Sequence, residues 1–95
     1  MLFRSITKEA VVDKIEVLEM GEVQVRTATI IKEDGIELNR SFHRHVLAPR
    51  TKSGDTWGDT DISGEDARVQ AIANATWTSD VKSAYETFID SSGTL

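Results

Sequence analysis

The chain has 95 residues, of which 39% are hydrophobic and 28% are charged, and it contains no cysteine. A chain of this length supports one domain with a modest core, and its composition is typical of a globular protein rather than a disordered one. The absence of cysteine excludes both a disulfide framework and a thiolate metal site.

The formal net charge of -5 arises entirely in the second half of the chain. Residues 1–50 carry eight Lys or Arg against eight Asp or Glu, whereas residues 51–95 carry three against eight. Since no basic cluster is present, we expect no nucleic-acid partner and no electrostatic membrane contact. The apolar runs are shorter than the roughly 18 residues of a membrane span, and the first ten residues lack the features of a signal peptide.

Alternating apolar and polar residues predict a three-stranded antiparallel meander, with strands at about 10–18, 23–32 and 36–47. Residues 19–21 end in Gly21, which suits a three-residue hairpin loop, and Asp34-Gly35 is typical of a two-residue type I′ turn. Both turns are therefore sharp enough to join neighbouring strands directly.

The two turns predict a register that gathers apolar side chains on one face. A three-residue loop pairs Val17 with Val23, and the two-residue loop pairs Val23 with Val46 and Thr27 with Phe42. The opposite face is then predicted to be polar and open to solvent or a partner. Its predicted members are Lys14, Glu16, Gln24, Arg26, Lys32, Glu37, Asn39, Ser41, His43 and His45.

The second half predicts a loop and two helices. Residues 48–62 lack periodicity and read as a loop, and residues 91–95 as a flexible tail. Helical spacing of apolar residues predicts short helices at about 64–77 and 79–90, the first capped by Ser63 with Asp66. The stripe of the first helix consists of Val69, Ile72, Ala73, Thr76 and Trp77. The whole chain is thus expected to form one α+β domain in which the helices pack on the apolar sheet face.

The sequence HRH at residues 43–45 is the first candidate site. Two histidines two positions apart on a strand point to the same side, as chelation requires. One chain supplies only His43 and His45, so a transition metal such as iron would need symmetry-related copies around an axis. The alternative is that the two histidines are ordinary surface residues. His43, His45, Arg26 and Trp57 are the residues that we expect to bind a partner.

The acidic residues of the second half offer two further hypotheses. Residues 59–64, DTDISG, match the first half of a calcium loop, but its twelfth position is Gln70 rather than Glu. A wider acidic group could be read as paired catalytic carboxylates, but it is expected to be solvated, which does not suit acid–base catalysis; it consists of Asp55, Asp59, Asp61, Glu65 and Asp66. No nucleophile or phosphate-binding motif is present, so we expect no enzymatic activity and no cofactor.

The two tryptophans receive different interpretations. Trp77 lies on the apolar stripe of the first helix and is expected in the core. Trp57 lies in the predicted loop, where it either folds back as a lid or anchors a partner.

Three segments, VQVRTATIIKEDGIE, RSFHRHVL and SGEDARVQAIANATWT, resemble a family of small proteins encoded by marine tailed bacteriophages, including phages of cyanobacteria. The resemblance covers roughly residues 8–85, and the segment at 50–60 is longer than the family pattern. The family carries no assigned mechanism, so no functional residue is transferred.

The resemblance implies a setting for the protein. A small phage protein with open sheet edges is expected to be a virion component of the tail, baseplate or fibre-attachment region, in contact with other phage structural proteins and with copies of itself. The alternatives are a capsid decoration protein, or a non-virion adaptor, chaperone or inhibitor in the host cytoplasm. A metal-dependent enzyme using His43 and His45 is a third class.

Overall fold

The computed structural model describes residues 5–92, and within them the chain forms five strands and two helices. The strands are Ile6–Val17 (β1), Val23–Glu33 (β2), Ile36–Leu47 (β3), Arg50–Ser53 (β4) and Thr56–Asp59 (β5), and the helices are Ala67–Thr76 (α1) and Ser79–Ser92 (α2). β1, β2 and β3 form an antiparallel sheet in that order, and β4 pairs with β5. The predicted α+β fold, a meander followed by two helices, is confirmed. Most of the predicted tail, residues 93–95, lies outside the described residues.

Both predicted turns of the meander are confirmed. Gly21 has a φ of +90° and closes the first hairpin, in which Val17 pairs with Val23. Asp34 and Gly35 have φ values of +53° and +82°, as a type I′ turn requires.

The predicted register between β2 and β3 is wrong by one residue. Lys32 pairs with Glu37, as predicted, but the next pair is Ile31 with Asn39, so Leu38 is the extra residue of a β-bulge. Beyond the bulge, Thr27 pairs with His43 rather than with Phe42. Because side chains alternate with a period of two, this slip moves every later side chain of β3 to the opposite face.

The bulge reverses the predicted positions of the histidines and Phe42. Val25 pairs with His45 and Val23 with Leu47, so the histidines share the face that the helices cover. Phe42 and Val46 lie on the other side, where their side chains are 46% and 55% exposed. The expectation that His43 and His45 face away from the helices is therefore wrong.

We call the helix side of the three-stranded sheet the core face and the other side the open face. A second bulge at Asp13 in β1 makes Val12, rather than Asp13, the residue paired with Thr27 on the core face. The open face carries most of the charged side chains of the sheet. These include Glu9, Lys14, Glu16, Arg26, Lys32, Glu37, Arg40 and Arg44.

The segment expected to be a loop, residues 48–62, is largely a hairpin. β4 and β5 pair through Lys52 with Trp57 and turn at Gly54, whose φ is +60°. A four-residue strand with polar residues on both faces shows no apolar alternation, which explains why the pattern favoured a loop.

The helices begin and end close to the predicted positions, but the first cap differs. Asp66 caps α1 by accepting a hydrogen bond from the Arg68 amide at 2.8 Å, whereas the expected cap, Ser63, lies in a preceding turn. Thr78 precedes α2, and its Oγ1 accepts from the Val81 amide at 3.3 Å.

The core between the sheet and the helices lies at the end of the sheet nearest the first hairpin turn. Val23 and Val25 of β2 pack against Val69, Ala73 and Trp77, as the helical stripe predicts. Partly buried hydrophobic side chains surround this cluster: Val12, Ile15, Leu47, Ile62 and Val81.

The molecule is elongated. Its radius of gyration is 18.2 Å, compared with about 12 Å for a compact chain of this length. The sheet extends beyond the helices, and its far end carries side chains with little cover, such as Ile6 at 57% and Ile36 at 68% exposed.

Candidate functional site

His43 and His45 lie side by side on the core face, at the margin of the helical cover. Their ring centroids are 6.3 Å apart and the rings are nearly parallel, with an interplanar angle of 27°. His45 Nε2 lies 2.8 Å from Glu65 Oε1, in the turn that leads into α1. Glu65 is itself held because Gln70 donates a side-chain hydrogen bond to its carbonyl oxygen at 2.8 Å. The contact therefore ties β3 to the start of the helical region.

This geometry provides two imidazoles and one carboxylate near one another without a metal-binding arrangement. Among residues 5–92, no group of three or more His, Asp or Glu side chains is placed to hold a metal ion. In one chain, the Nε2 atom of His45 faces a carboxylate, and the ring of His43 stacks on the ring of His45. The arrangement suits a structural contact that holds β3 to the turn before α1.

Arg26 lies on the open face and is engaged within its own sheet. Its Nε and Nη2 atoms donate to the two carboxylate oxygens of Asp13 at 2.9 and 2.8 Å, and its guanidinium lies 4.4 Å from the centre of the Phe42 ring. Hydrogen bonds from Arg26, together with its positive charge, lower the pKa of Asp13. Arg26 pairs with Arg44 across the strands, whereas the predicted register, which set Thr27 opposite Phe42, would have set Arg26 opposite His43.

Trp57 lies on β5 and folds back onto α2. Its ring makes an edge-to-face contact with Tyr85, with centroids 6.2 Å apart, and Lys52 Nζ is 5.4 Å from its centre. The side chain is half-buried. The expected partner-binding residues thus occupy three separate places: the histidine pair, the open face and the small hairpin.

Ion pairs fasten the small hairpin to α2. Arg50 bridges Asp59, at 2.6 Å, and Glu86, at 3.1 Å, and Lys52 Nζ lies 2.9 Å from an Asp90 oxygen. Lys82 also donates to Asp59 at 2.9 Å. These contacts hold β4 and β5 against the helix.

The acidic segment at 59–64 does not form a calcium loop. Hydrogen bonds from Lys82 and Arg50 lower the pKa of Asp59, and the Ser63 amide lowers the pKa of Asp61 by donating to it at 2.9 Å. These carboxylates therefore serve the hairpin clamp and a turn.

A cleft of about 160 Å³ lies where the hairpin meets the two helices. Its walls include Pro49, Ile62, Asn74 and Trp77, with the Asp59–Lys82 pair at one side. Ligand sites for small molecules commonly measure about 300–1,000 Å³, so this cleft is small for a substrate. Neither helix within the described range is long and apolar enough to cross a membrane.

Within residues 5–92, the helices do not reach the far end of the core face. We call it the outer core face. It consists of four rows of paired residues across the three strands: Ile6, Glu33 and Ile36; Lys8, Ile31 and Asn39; Ala10, Thr29 and Ser41; Val12, Thr27 and His43. Its row nearest the helices contains Val12, which packs at the edge of the core.

On the open face, charged side chains of the sheet itself bury the central residues of β2. Ala28 and Ile30 of the central strand are 0% and 5% exposed although no helix lies over them. Long charged side chains of the open face surround these two residues. The ion pairs formed by these charged side chains include Lys14–Glu16, Arg26–Asp13, Lys32–Glu9, Arg40–Asp13 and Arg40–Glu37. Thr27, Thr29 and Ile31, the central residues of the outer core face, are only half-buried. The two faces therefore differ in how completely they are covered.

Sequence reasoning did not find the partners that define these places. Glu65 is 20 residues from His45, and Asp13 is 13 residues from Arg26. His45 and Glu65 have neither a helical nor a hairpin spacing, so no local pattern indicates their contact. Asp13 and Arg26 lie on neighbouring strands of the predicted hairpin, but only the bulge at Asp13 brings its carboxylate to the face that carries Arg26. The Leu38 bulge likewise has no glycine or other local signal.

The chain was compared with protein-family models, curated proteins and solved structures, and none of them matches it.

Proposed function

We propose that this protein is a non-enzymatic structural component of a bacteriophage virion, in the tail, baseplate or fibre-attachment region, and that it acts through symmetric contacts between subunits. The resemblance of residues 8–85 to small proteins of marine tailed phages provides the phage setting. The contact mechanism is argued from the shape and surface of the chain.

The observation that carries the proposal is that the outer half of the meander exposes apolar side chains that the helices do not cover. A three-stranded sheet is stable when a hydrophobic face is packed, yet the outer core face extends past the helices. Apolar side chains at this end, including Ile36 at 68% exposed, would be covered in an assembly. An elongated subunit with an uncovered sheet is suited to packing among many copies.

The distribution of charge favours a virion component over the adaptor or inhibitor. That alternative depends on a free acidic second half that masks a basic partner. Three of its carboxylates, Asp59, Glu86 and Asp90, are paired with basic side chains of the hairpin and α2. Three of the eight carboxylates in this half are thus engaged within the molecule, which leaves fewer of them available to a basic partner.

Mass spectrometry of purified particles tests the proposal. We expect the protein in particles of a phage that encodes it, in a copy number set by the symmetry of its site, and in tail rather than head fractions. Recovery only with heads would support a capsid decoration protein instead. Absence from particles, together with capture of one cellular partner in a complex that salt disrupts, would support the adaptor or inhibitor and refute the virion assignment.

A further inference from the structure

One side of the small hairpin, formed by β4 and β5, faces α2. Arg50 pairs with Asp59 across the two strands, and Lys52 pairs with Trp57. Side chains alternate along a strand, so these four residues lie on the same side of the hairpin. The charged residues that they meet on α2 follow one another at intervals of four: Lys82, Glu86 and Asp90.

The spacing of the charges matches on the two surfaces. Two residues along a strand rise by about 6.6 Å, and four residues along a helix rise by about 6 Å. Arg50 Nε donates to Glu86 Oε2 at 3.1 Å. One step further along both elements, Lys52 Nζ donates to Asp90 Oδ1 at 2.9 Å. The hairpin and the helix therefore meet as two rows of opposite charges.

These contacts are open to water. The side chains of Lys52 and Asp90 are 37% and 51% exposed, and that of Asp59 is 69% exposed. An ion pair in such a setting contributes little by itself and is screened by salt. The apolar part of the contact includes the edge-to-face pair of Trp57 and Tyr85, whose side chains are both half-buried. Charge therefore supplies much of the attraction between the small hairpin and α2.

The base of the small hairpin is held by uncharged contacts. Pro49 is fully buried, and Ile62 packs against the core cluster. Thr60 Oγ1 donates to the carbonyl oxygen of Ala48 at 2.6 Å and lies 2.8 Å from Thr51 Oγ1. Salt does not screen such contacts, so the base is expected to stay in place under conditions that weaken the ion pairs.

We propose that the small hairpin is a strap on α2 that salt releases. When ions screen its charges, the hairpin turns away from the helix about its base, while the three-stranded sheet and α1 keep their structure. Release frees the basic side chains of the hairpin and the carboxylates of the helix for another charged surface. The inference goes beyond the proposed function and does not rest on it.

The released parts are expected to lose their structure together. A two-stranded hairpin is marginally stable alone, and so is an isolated helix of about the 14 residues of α2. The start of α2 stays in place because Val81 packs against the core cluster. Release is therefore a local opening of the hairpin and of the second half of α2, distinct from unfolding of the whole chain.

Hydrogen–deuterium exchange of the full chain, followed by mass spectrometry of its peptides, measures the release. Samples at pH 7 are compared at low salt and in about 1 M NaCl, where the Debye length falls to about 3 Å. An unstructured peptide corrects for the effect of salt on intrinsic exchange. We expect residues 50–59 and 84–91 to exchange about tenfold faster at high salt, and residues 23–31 to be unchanged.

Arg50→Gln tests the role of charge, because Arg50 pairs with both Glu86 and Asp59. We expect this variant to exchange faster in both segments at low salt and to respond less to added salt. Lys14→Gln is the matched control, since it removes an exposed ion pair with Glu16 on the sheet. We expect it to leave exchange in the hairpin unchanged, and circular dichroism checks that both variants fold.

Reversing the charges of one ion pair provides a rescue. We expect Lys52→Glu to speed exchange of the hairpin and the added Asp90→Lys to restore its protection. Three results would each overturn the inference: no response to salt or to Arg50→Gln, equal acceleration in residues 23–31, or a faster hairpin beside an unchanged helix. The presence or absence of the protein in particles does not alter this outcome, so the two proposals fail separately.

Discussion

Trp77 Nε1 donates a hydrogen bond of 2.7 Å to the carbonyl oxygen of Gly21, and this contact joins the end of α1 to the turn between β1 and β2. The two residues are 56 positions apart, and both are buried. The indole is part of the small core, so the contact fixes where the helices sit on the sheet.

We expect Trp77→Phe to lower the free energy of unfolding by about 1–3 kcal/mol, because it leaves a buried carbonyl oxygen without its donor. Urea denaturation followed by far-ultraviolet circular dichroism measures the change. Trp57→Phe is the matched control, and we expect it to cost about 1 kcal/mol or less because Trp57 is half-buried on the small hairpin. Equal losses in the two variants would contradict the central role of Trp77.

Gly21→Ala is expected to destabilise the fold by about 2–5 kcal/mol, the sum of a positive φ and a steric clash. A methyl group at this position would lie 2.6 Å from Val81 Cγ1 and 3.2 Å from Pro49 Cγ. Gly35→Ala separates the two causes, since Gly35 has a φ of +82° but no atom within 4 Å of the added carbon.

We expect Gly35→Ala to cost about 1–2 kcal/mol, from backbone strain alone. Adding Val81→Ala to Gly21→Ala removes the nearest clashing atom, so the double variant is expected to lose less stability than the two single losses added together. Chemical denaturation of the unaltered chain, the three single variants and the double variant provides the comparison. Strict additivity, or equal effects of the two glycine substitutions, would show that the clash is relieved at no cost.

The Asp13–Arg26 pair predicts a specific dependence of stability on pH. Its hydrogen bonds lower the pKa of Asp13 below the ordinary value of 3.8. Between the folded and unfolded pKa values the unfolded state binds more protons, so stability rises with pH there. The contribution is therefore present above about pH 4 and is lost as the pH falls through the lowered pKa.

Asp13→Asn is expected to flatten the acid limb of a plot of unfolding free energy against pH. Arg26→Gln is expected to do the same, and the double variant to do no more than either single change, because the effect belongs to the pair. Urea titrations between pH 2 and 7 measure it. An acid limb that stays as steep in both single variants would show that other carboxylates determine it.

The histidine pair predicts weak metal binding by a single chain. The imidazoles of His43 and His45 are stacked, and the Nε2 atom of His45 faces Glu65. We expect a substoichiometric content of iron and other transition metals by elemental analysis after dialysis. A stoichiometric metal that disappears in the His43→Ala/His45→Ala double variant would contradict this prediction and would revive the metal-dependent alternative.

The sequence by itself determined the elements whose signals are local. Asp34-Gly35 determined one turn and Gly21 the other, because few residues adopt a positive φ without strain. The stripe of Val69, Ala73 and Trp77 identified the buried side of α1, because its 3.6-residue period matches the helix. Local chemistry was therefore sufficient for the α+β meander with two helices.

The tertiary structure alone decided which face of the sheet each side chain of β3 occupies. One extra residue, Leu38, turns the histidines toward the helices and Phe42 away from them, although the turn itself was predicted correctly. With the slip, Leu47 joins the core and His45 meets Glu65. Without it, Val46 would fill the core position, and both arrangements satisfy the alternation of β3. Contacts between distant segments distinguish them, because a bulge shifts the register without changing the local pattern of the strand.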